Sequence, residues 1–342
     1  MLPDDDTAAA GSAATCRPMR ASEFFAGMGL MRAGLESVGV RTTFANDIDR
    51  TKAALYRANW GDDALVVDDI RNLRGDDIPD AEVATASFPC VDMSLAGNLA
   101  GLGGAESGLI VEFCRILAEM GERRPRAVIV ENVPGFRTVH GGRDFARVVE
   151  MLEALGYEVE SVVIDAASFV PQSRPRVFLL GARGPLPALP PAPDGAALRL
   201  ADMASPDGDW WPPERRDAFL ASLSPLQRGR VDSWRRDSRV RCLGAYRRTR
   251  NGRAVWEVRS DEIAGALRTT RGGSSRQALV RVGRGDFAVR WMNVEEYARL
   301  QGAEALCYDA VSDRQAMFAL GDAVCVPVIE WLAQNWLTRL AA

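Results

Sequence analysis

The sequence predicts an α/β protein built on one doubly wound, mostly parallel sheet, followed by a smaller, irregular module. Three observations carry that expectation. Between residues 20 and 185, short apolar runs rich in β-branched residues alternate with segments whose apolar residues recur at helical spacing. The first run ends in a tight glycine turn, Phe25-Ala-Gly27-Met-Gly29, that opens a helical segment. After Gly184 the alternation fails, and a stretch dense in Pro, Ala and Asp leads past Pro213 into an arginine-rich module.

At 342 residues and 47% hydrophobic content, the chain can bury a large core and divides into one big and one small domain. The expected organisation is a disordered tail over 1–19, the sheet domain over 20–185, linker and basic module over 186–285, and helices over 286–342 that return to the first domain. The start, Met1-Leu-Pro-Asp-Asp-Asp, lacks the basic and apolar regions of a signal peptide, and no run approaches the apolar length of a membrane span. A cytoplasmic protein without a membrane partner is expected. The six cysteines form no CxxC pair and no metal-ligand spacing, and His140 is the one histidine, so no metal site is expected.

The net charge of −4 hides an asymmetry. From Glu214 to Arg290 there are 19 arginines against eight acidic residues, an excess of +11. A like-charged block repels itself unless a polyanion neutralises it, so nucleic acid is an expected partner, with a solvated basic face as the alternative. Trp210, Trp211, Trp234, Tyr246 and Trp256 are interleaved with the arginines, which suits phosphate contact and base stacking. Lys52 is the only lysine in the chain.

Taken in order, Ser22 to Phe25 is the apolar entry to the glycine turn, and Leu30, Ala33, Leu35 and Val38 follow at helical spacing. That arrangement exposes a helix amino terminus to a ligand. Thr42 to Asp49 is a second strand ending in carboxylates about 20 residues after the turn, where a ribose hydroxyl would be gripped. The glycine spacing is too short for a dinucleotide fingerprint, so an adenosyl ligand fits better than NAD. Residues 52–60 read as a helix, and Ala64 to Ile70 as a third strand. Asp69 at its end either accepts from an adenine amino group or caps the next segment.

The fourth strand, Val83 to Ala86, stops at Pro89, which cannot donate to a ladder. Cys90 then stands at the carboxyl end of a strand, before a loop containing Gly97, Gly101, Gly103, Gly104 and Gly108. A thiol there is a nucleophile candidate. A helix spans Ser107 to Gly121, and the strand from Arg126 carries Glu131 at its tip. A carboxylate is costly to bury without a task or partner, so Glu131 is expected in the same crevice as Cys90. A helix over Asp144–Gly156 and a strand over Tyr157–Asp165 follow. Gln172, Arg174 and Arg176 then alternate on an extended segment, which puts all three side chains on one face as a recognition surface. Two final helical stretches, Asn293–Gly302 and Arg314–Leu337, are interrupted at Leu320–Pro327.

These segments together resemble the DNA (cytosine-5)-methyltransferase family of bacterial or phage type. Phe25-Ala-Gly27-Met-Gly29 resembles its cofactor loop, Asp47-Ile48 its ribose carboxylate and neighbour, and Asp69-Ile70 its adenine contact. Phe88-Pro89-Cys90 resembles its nucleophile loop, Glu131-Asn132-Val133 its second catalytic element, Gln172-Ser-Arg174-Pro-Arg176 its arginine motif, and Gly321-Asp322-Ala-Val324 its returning cofactor helix. The match runs in the family's order over nearly the whole chain. Two residues depart from it: Val91 stands where the family commonly has Gln, and Asp322 where it has Asn.

The resemblance implies a Rossmann-like class I methyltransferase that uses S-adenosylmethionine. It assigns catalysis to Cys90, Glu131, Arg174 and Arg176, and cofactor binding to Phe25, Gly27, Gly29, Asp47, Ile48, Asp69, Ile70, Pro89, Asp322 and Val324. DNA contacts fall on Ser94, Gln172, Arg268, Arg271 and Arg276. The substrate is duplex DNA, with a companion restriction endonuclease acting on the same site without direct contact, and the enzyme is expected to act as a monomer. A tRNA cytosine-5 methyltransferase and a catalytically silent DNA-binding regulator are the competing readings. The long basic module favours duplex DNA over the first, and four intact catalytic positions argue against the second.

Overall fold

The computed structural model describes residues 18–89, 108–195, 197–206, 208–250, 253–269 and 276–340. Cys90, Ser94, Arg271 and most of the expected tail lie outside the described residues.

Strand β1 (Arg20–Phe24) is buried on both faces: Ala21 and Phe24 belong to opposite cores. The turn after it ends at Gly29, whose φ of 85° is left-handed, and a Cβ there would lie 2.4 Å from the Trp60 indole nitrogen. Helix α1 (Leu30–Glu36) begins at once. After β2 (Arg41–Asp47), α2 (Arg50–Trp60) is capped by Asp49, whose carboxylate accepts from the amides of Thr51 (2.8 Å) and Lys52 (3.1 Å). The large domain continues with β3 (Leu65–Val67), β4 (Val83–Ala86), α3 (Leu109–Glu119), β5 (Ala127–Asn132), α4 (Arg143–Ala154), β6 (Glu158–Asp165) and β7 (Pro175–Ala182).

These strands form one sheet in the order β3-β2-β1-β4-β5-β7-β6. Strand β1 pairs in parallel with both β2 and β4, so the order reverses between β1 and β4 and a crevice opens at their carboxyl ends. Strand β7 runs antiparallel to both its neighbours. Its first residues therefore lie beside the last residues of β5, with Glu131 opposite Phe178 and Asn132 opposite Val177. Alternation along the strands feeds two cores. Ala127, Ile129, Phe178 and Leu180 pack on one side with α1, while Val128, Val130, Val177 and Leu179 pack on the other with α3 and α4.

The stretch expected as a plain linker contains α5 (Leu200–Met203), with Leu200 and Met203 buried in the main core. The basic module is not irregular. Helices α6 (Pro213–Ala221) and α7 (Pro225–Arg236) cover a four-stranded antiparallel sheet of β8 (Arg241–Arg250), β9 (Arg253–Val258), β10 (Ala278–Gly283) and β11 (Asp286–Trp291), ordered β11-β10-β8-β9. Arginines on the outer face and at the strand ends mask the short apolar runs that pack inward, such as Val280 and Val282 around exposed Arg281. Because β11 pairs with β10, the module extends to Trp291, past the boundary at 285 expected from the sequence.

The chain then returns through α8 (Val294–Gln301), α9 (Asp313–Asp322) and α10 (Val326–Leu332), followed by a π-helical turn over Ala333–Leu337 and α11 (Thr338–Leu340). Contrary to expectation, the run Asp313–Leu340 is long and apolar enough to cross a membrane by length and composition. The structure explains the apolarity otherwise: 67% of its most apolar window is buried, and Trp336 is wholly enclosed.

The joint between the two domains is an ion pair. Arg290 at the end of β11 donates to both oxygens of Glu296 (2.8 and 2.5 Å), and the same carboxylate accepts from the amides of Asn293 (3.0 Å) and Ser205 (2.9 Å). Both side chains are almost fully buried. Removing one partner strands the other charge, so Glu296→Ala is expected to lower stability by about 3–5 kcal/mol in a denaturant titration.

Candidate active site and nucleic-acid interface

Three strand ends meet at the crevice. Strand β4 runs out through Ser87 and Phe88 to Pro89, the last described residue before Cys90. Phe88 is buried against Phe136, ring centroids 5.4 Å apart, and its carbonyl accepts from Asn132 Nδ2 at 3.2 Å. The segment entering position 90 is thereby pinned to the tip of β5. One residue back from Asn132, Glu131 is 7% exposed and its Oε1 lies 2.9 Å from Arg176 Nε at the start of β7. Burial raises the Glu131 pKa above the ordinary carboxylate value, against the opposing charges of Arg176 and Arg174. A carboxyl group held this way can carry a proton closer to neutrality than an exposed one.

The three alternating polar residues do not share a recognition surface. Gln172 is fully buried: its Nε2 donates to the Leu300 carbonyl at 2.6 Å and its Oε1 accepts from the Leu267 amide at 3.0 Å. It joins β7's approach to α8 and the small domain's edge, and the expected DNA contact at Gln172 is corrected accordingly. Arg174 is 2% exposed, and its fork donates to the carbonyls of Leu267 (2.7 Å), Ala323 (2.6 Å) and Gly321 (3.2 Å). Burial, with Arg176 adding to it, pulls its pKa down to about 9. Arg174 is therefore a positioning residue, and Arg176 alone of the three meets Glu131. The alternation failed as a guide because the segment before Pro175 is not strand; it turns through a short helical piece, Ala166–Ser168, and bridges to Ala264.

The side of the crevice next to β1 and β2 is built from turns. Phe25 has φ 57°, an uncommon left-handed conformation for a bulky side chain, and the strain is held by the packing around the Gly27 turn. Asp47 accepts from the Gly27 amide (2.7 Å) with one oxygen and from the Asp49 amide (2.8 Å) with the other. It is 7% exposed, and burial raises its pKa while Lys52 opposes that rise. Beside it Ile48 is 63% exposed, an apolar surface that a flat base would cover. An anchored carboxylate, an opened glycine turn and an uncovered apolar side chain fit an adenosyl group. Asp69 caps the turn at Ile70 and is ion-paired to Arg71 (2.5 Å), so the capping alternative is realised. The side chains of Ile70 and Val324 are buried in the two cores. Gly321 packs so closely under the 268 segment that a Cβ would lie 2.3 Å from the Arg268 carbonyl, and Asp322 is ion-paired to Lys52.

Two residues of this site carry no motif. Lys52 was marked in the sequence only by its being the sole lysine. Glu23 lies under the turn at 2% exposure, with burial raising its pKa to about 8.

A family model described as C-5 cytosine-specific DNA methylase matches residues 19–207, more than half of the chain. The chain belongs to this family. A type II methyltransferase of Neisseria gonorrhoeae, M.NgoBI, is 28% identical over 312 residues, covering 90% of each chain. Another, M.Bsp6I of a Bacillus strain, is 33% identical over 169 residues, 48% of this chain and about half (52%) of its own length. Among solved structures, the Entamoeba histolytica methyltransferase EhMeth superposes with a TM-score of 0.69 at 14% identity, covering 95% of this chain and 99% of that one. At that identity the likeness concerns the fold.

In this family member two of the aromatic residues expected to stack on bases, Trp211 and Trp256, do not offer themselves to them. Trp211 and Trp256 are buried at 6% and 9%, packed on each other and on Trp291. They carry guanidinium groups instead: Arg215 lies 4.0 Å over Trp211, Arg247 5.6 Å and Arg276 5.4 Å over Trp291. Burial lowers the Arg276 pKa, and the nearby Arg215 charge adds to the effect. Arg268 is exposed and sits over the Gly321 turn, away from this cluster.

Crowded cations at the end of the basic sheet suit a phosphate backbone. Replacing Arg215 and Arg276 by Met is expected to weaken duplex binding equally across sequences and to flatten the plot of log affinity against log salt by about 2. For Glu23, whose folded pKa of about 8 exceeds its ordinary 4.5, stability is full below 4.5 and is lost as pH rises through about 8. Thermal unfolding of Glu23→Gln should therefore show a gain over the parent that grows across that interval.

Proposed function

We propose that the protein methylates carbon 5 of a cytosine flipped out of duplex DNA within a short recognition sequence, using S-adenosylmethionine. The observation that carries the reading is the meeting of Glu131 and Arg176 at 2.9 Å beside the end of β4 that leads into Cys90. Carbon 5 of cytosine is a poor nucleophile, and addition of a thiolate at carbon 6 converts the ring to an enamine that is a good one. Cys90 supplies that thiolate. The charge pushed onto the ring is taken by Glu131, which shares a proton with ring nitrogen 3 and reads the exocyclic amine. Arg176 orients Glu131 and holds the base carbonyl. The Gly27 turn, Asp47 and Ile48 would hold S-adenosylmethionine, which when bound would supply the methyl group to carbon 5 and leave as S-adenosylhomocysteine. Loss of the carbon 5 proton then expels the Cys90 sulfur and restores the ring.

None of these atoms is accessible inside a stacked duplex, so the base is extruded, and the cationic small domain holds the strands during extrusion. The named relatives are type II methyltransferases, which supports a site-specific modification enzyme, either paired with an endonuclease of the same specificity or standing alone.

Transfer of labelled methyl to mixed-sequence plasmid DNA and to bulk tRNA tests the reading. Label is expected on DNA only, absent with Cys90→Ala and reduced by about 10²–10⁴-fold with Glu131→Gln. Sequencing the labelled cytosines then identifies the site. Label on tRNA alone, or label on DNA that survives Cys90→Ala, contradicts it.

A further inference from the structure

The chain has 42 basic residues, and all but Lys52 are arginine. That one exception occupies the first turn of α2, with its stem alongside the cofactor turn: a Cβ added to Gly27 would lie 3.9 Å from Lys52 Cδ. Its ammonium is bonded to Asp322 at the end of α9, and its charge also acts on Asp47 and Asp49. One carboxylate thus pairs with the cation directly, and the charges of two more act on it. Asp322 stands where the resemblance leads one to expect a neutral Asn, so the chain has an additional negative charge at this point and a half-buried lysine that balances it.

The same few residues lie on a structural path. The carbonyls flanking Asp322, those of Gly321 and Ala323, are the ones that Arg174 holds. A second tie joins α2 to the C-terminal region farther along, where the Asn59 side chain exchanges hydrogen bonds with the backbone of Cys307 (3.0 and 2.7 Å). Helix α2 is therefore fastened at both ends to the returning segment, and Lys52–Asp322 is the fastening next to the crevice. An ammonium is compact and can donate in three directions, whereas a planar guanidinium at this position would crowd the Gly27 turn.

We propose that Lys52 is a positioning residue for the S-adenosyl cofactor: clasped by Asp322, it holds the returning turn against α2 and keeps the Asp47 carboxylate in place to bind the cofactor. The inference rests on the cofactor reading given above. Losing Lys52 leaves three mutually repelling carboxylates at the crevice, while losing Asp322 leaves the lysine with Asp47 and Asp49. The two changes are therefore coupled, and their order of severity follows from the charges.

Calorimetric titration with S-adenosylmethionine and S-adenosylhomocysteine separates the possibilities. Lys52→Met is expected to weaken both ligands by about tenfold or more, about 1.4 kcal/mol per factor of ten. Asp322→Asn should weaken them less, and the double variant should bind better than Lys52→Met alone. Independent, multiplicative effects overturn the clasp. A second readout needs neither ligand nor activity. Apart from the chain's amino terminus, Lys52 is the only primary amine, so acylation by an amine-directed ester reports on it alone by mass spectrometry. Slow labelling in the native parent that accelerates in Asp322→Asn supports the clasp; labelling of the parent as fast as the amino terminus overturns it. Failure of the parent to bind either ligand rejects the cofactor reading, and acylation still decides the clasp.

Discussion

The structure depends on one buried cation. Arg174 places its guanidinium against the carbonyls of Leu267, Gly321 and Ala323, which lie 93, 147 and 149 residues away along the chain. A buried guanidinium is tolerable only if its donors are met, and here the free carbonyls at the end of α9, Gly321 and Ala323, meet them together with that of Leu267. The exchange fixes where the small domain's edge and the returning helix α9 stand relative to the sheet. Gln172 does the same two residues earlier, through Leu267 and Leu300. The crevice is thus closed by polar locks rather than by apolar packing alone, and their cost in desolvation is offset by the geometry they enforce.

From that constraint the chemistry follows. With β7 reversed, Arg176 is carried to the tip of β5, where Glu131 is already held by the ladder. A parallel β7 would have put the arginine at the opposite end of the sheet, beside the start of β5. The crevice lies where the strand order reverses, between β1 and β4, so the glycine turn after β1 and the chain leaving β4 face the same space. The Gly27 turn and the meeting ends of β5 and β7 are linked through the Gly321–Ala323 turn: Arg174 grips its carbonyls, Asp322 grips Lys52, and Asp47 is bound to Gly27.

Much of this was legible in the sequence. The sheet, the glycine turn, Asp47 and Glu131 could be read because each is local: a strand ends, and a residue type unsuited to burial stands at the end. Gln172 and Arg174 were misread because their partners, at 267, 300 and 321–323, are distant, and no local pattern tells an inward arginine from an outward one. The tryptophans were misread for a related reason. Their spacing among arginines suits stacking on bases, but Trp211 and Trp256 are the core of a sheet that the arginines mask, and the rings support guanidiniums. Lys52 had no motif at all, only its rarity.

We propose that the ends of β4, β5 and β7 make one site for covalent addition to cytosine. It is tested most directly with duplex DNA carrying 5-fluorocytosine at the methylated position, incubated with S-adenosylmethionine. Fluorine cannot depart as a proton does, so an adduct that has added sulfur and gained methyl persists. The account requires a covalent protein–DNA species whose cross-link maps to the Cys90 peptide and which is formed much more slowly by Glu131→Gln. A cross-link at Cys242 or Cys307, or none while cytosine is still methylated, would contradict it. Cys114 and Cys325 are not competitors, being buried with thiols pushed up to about 12.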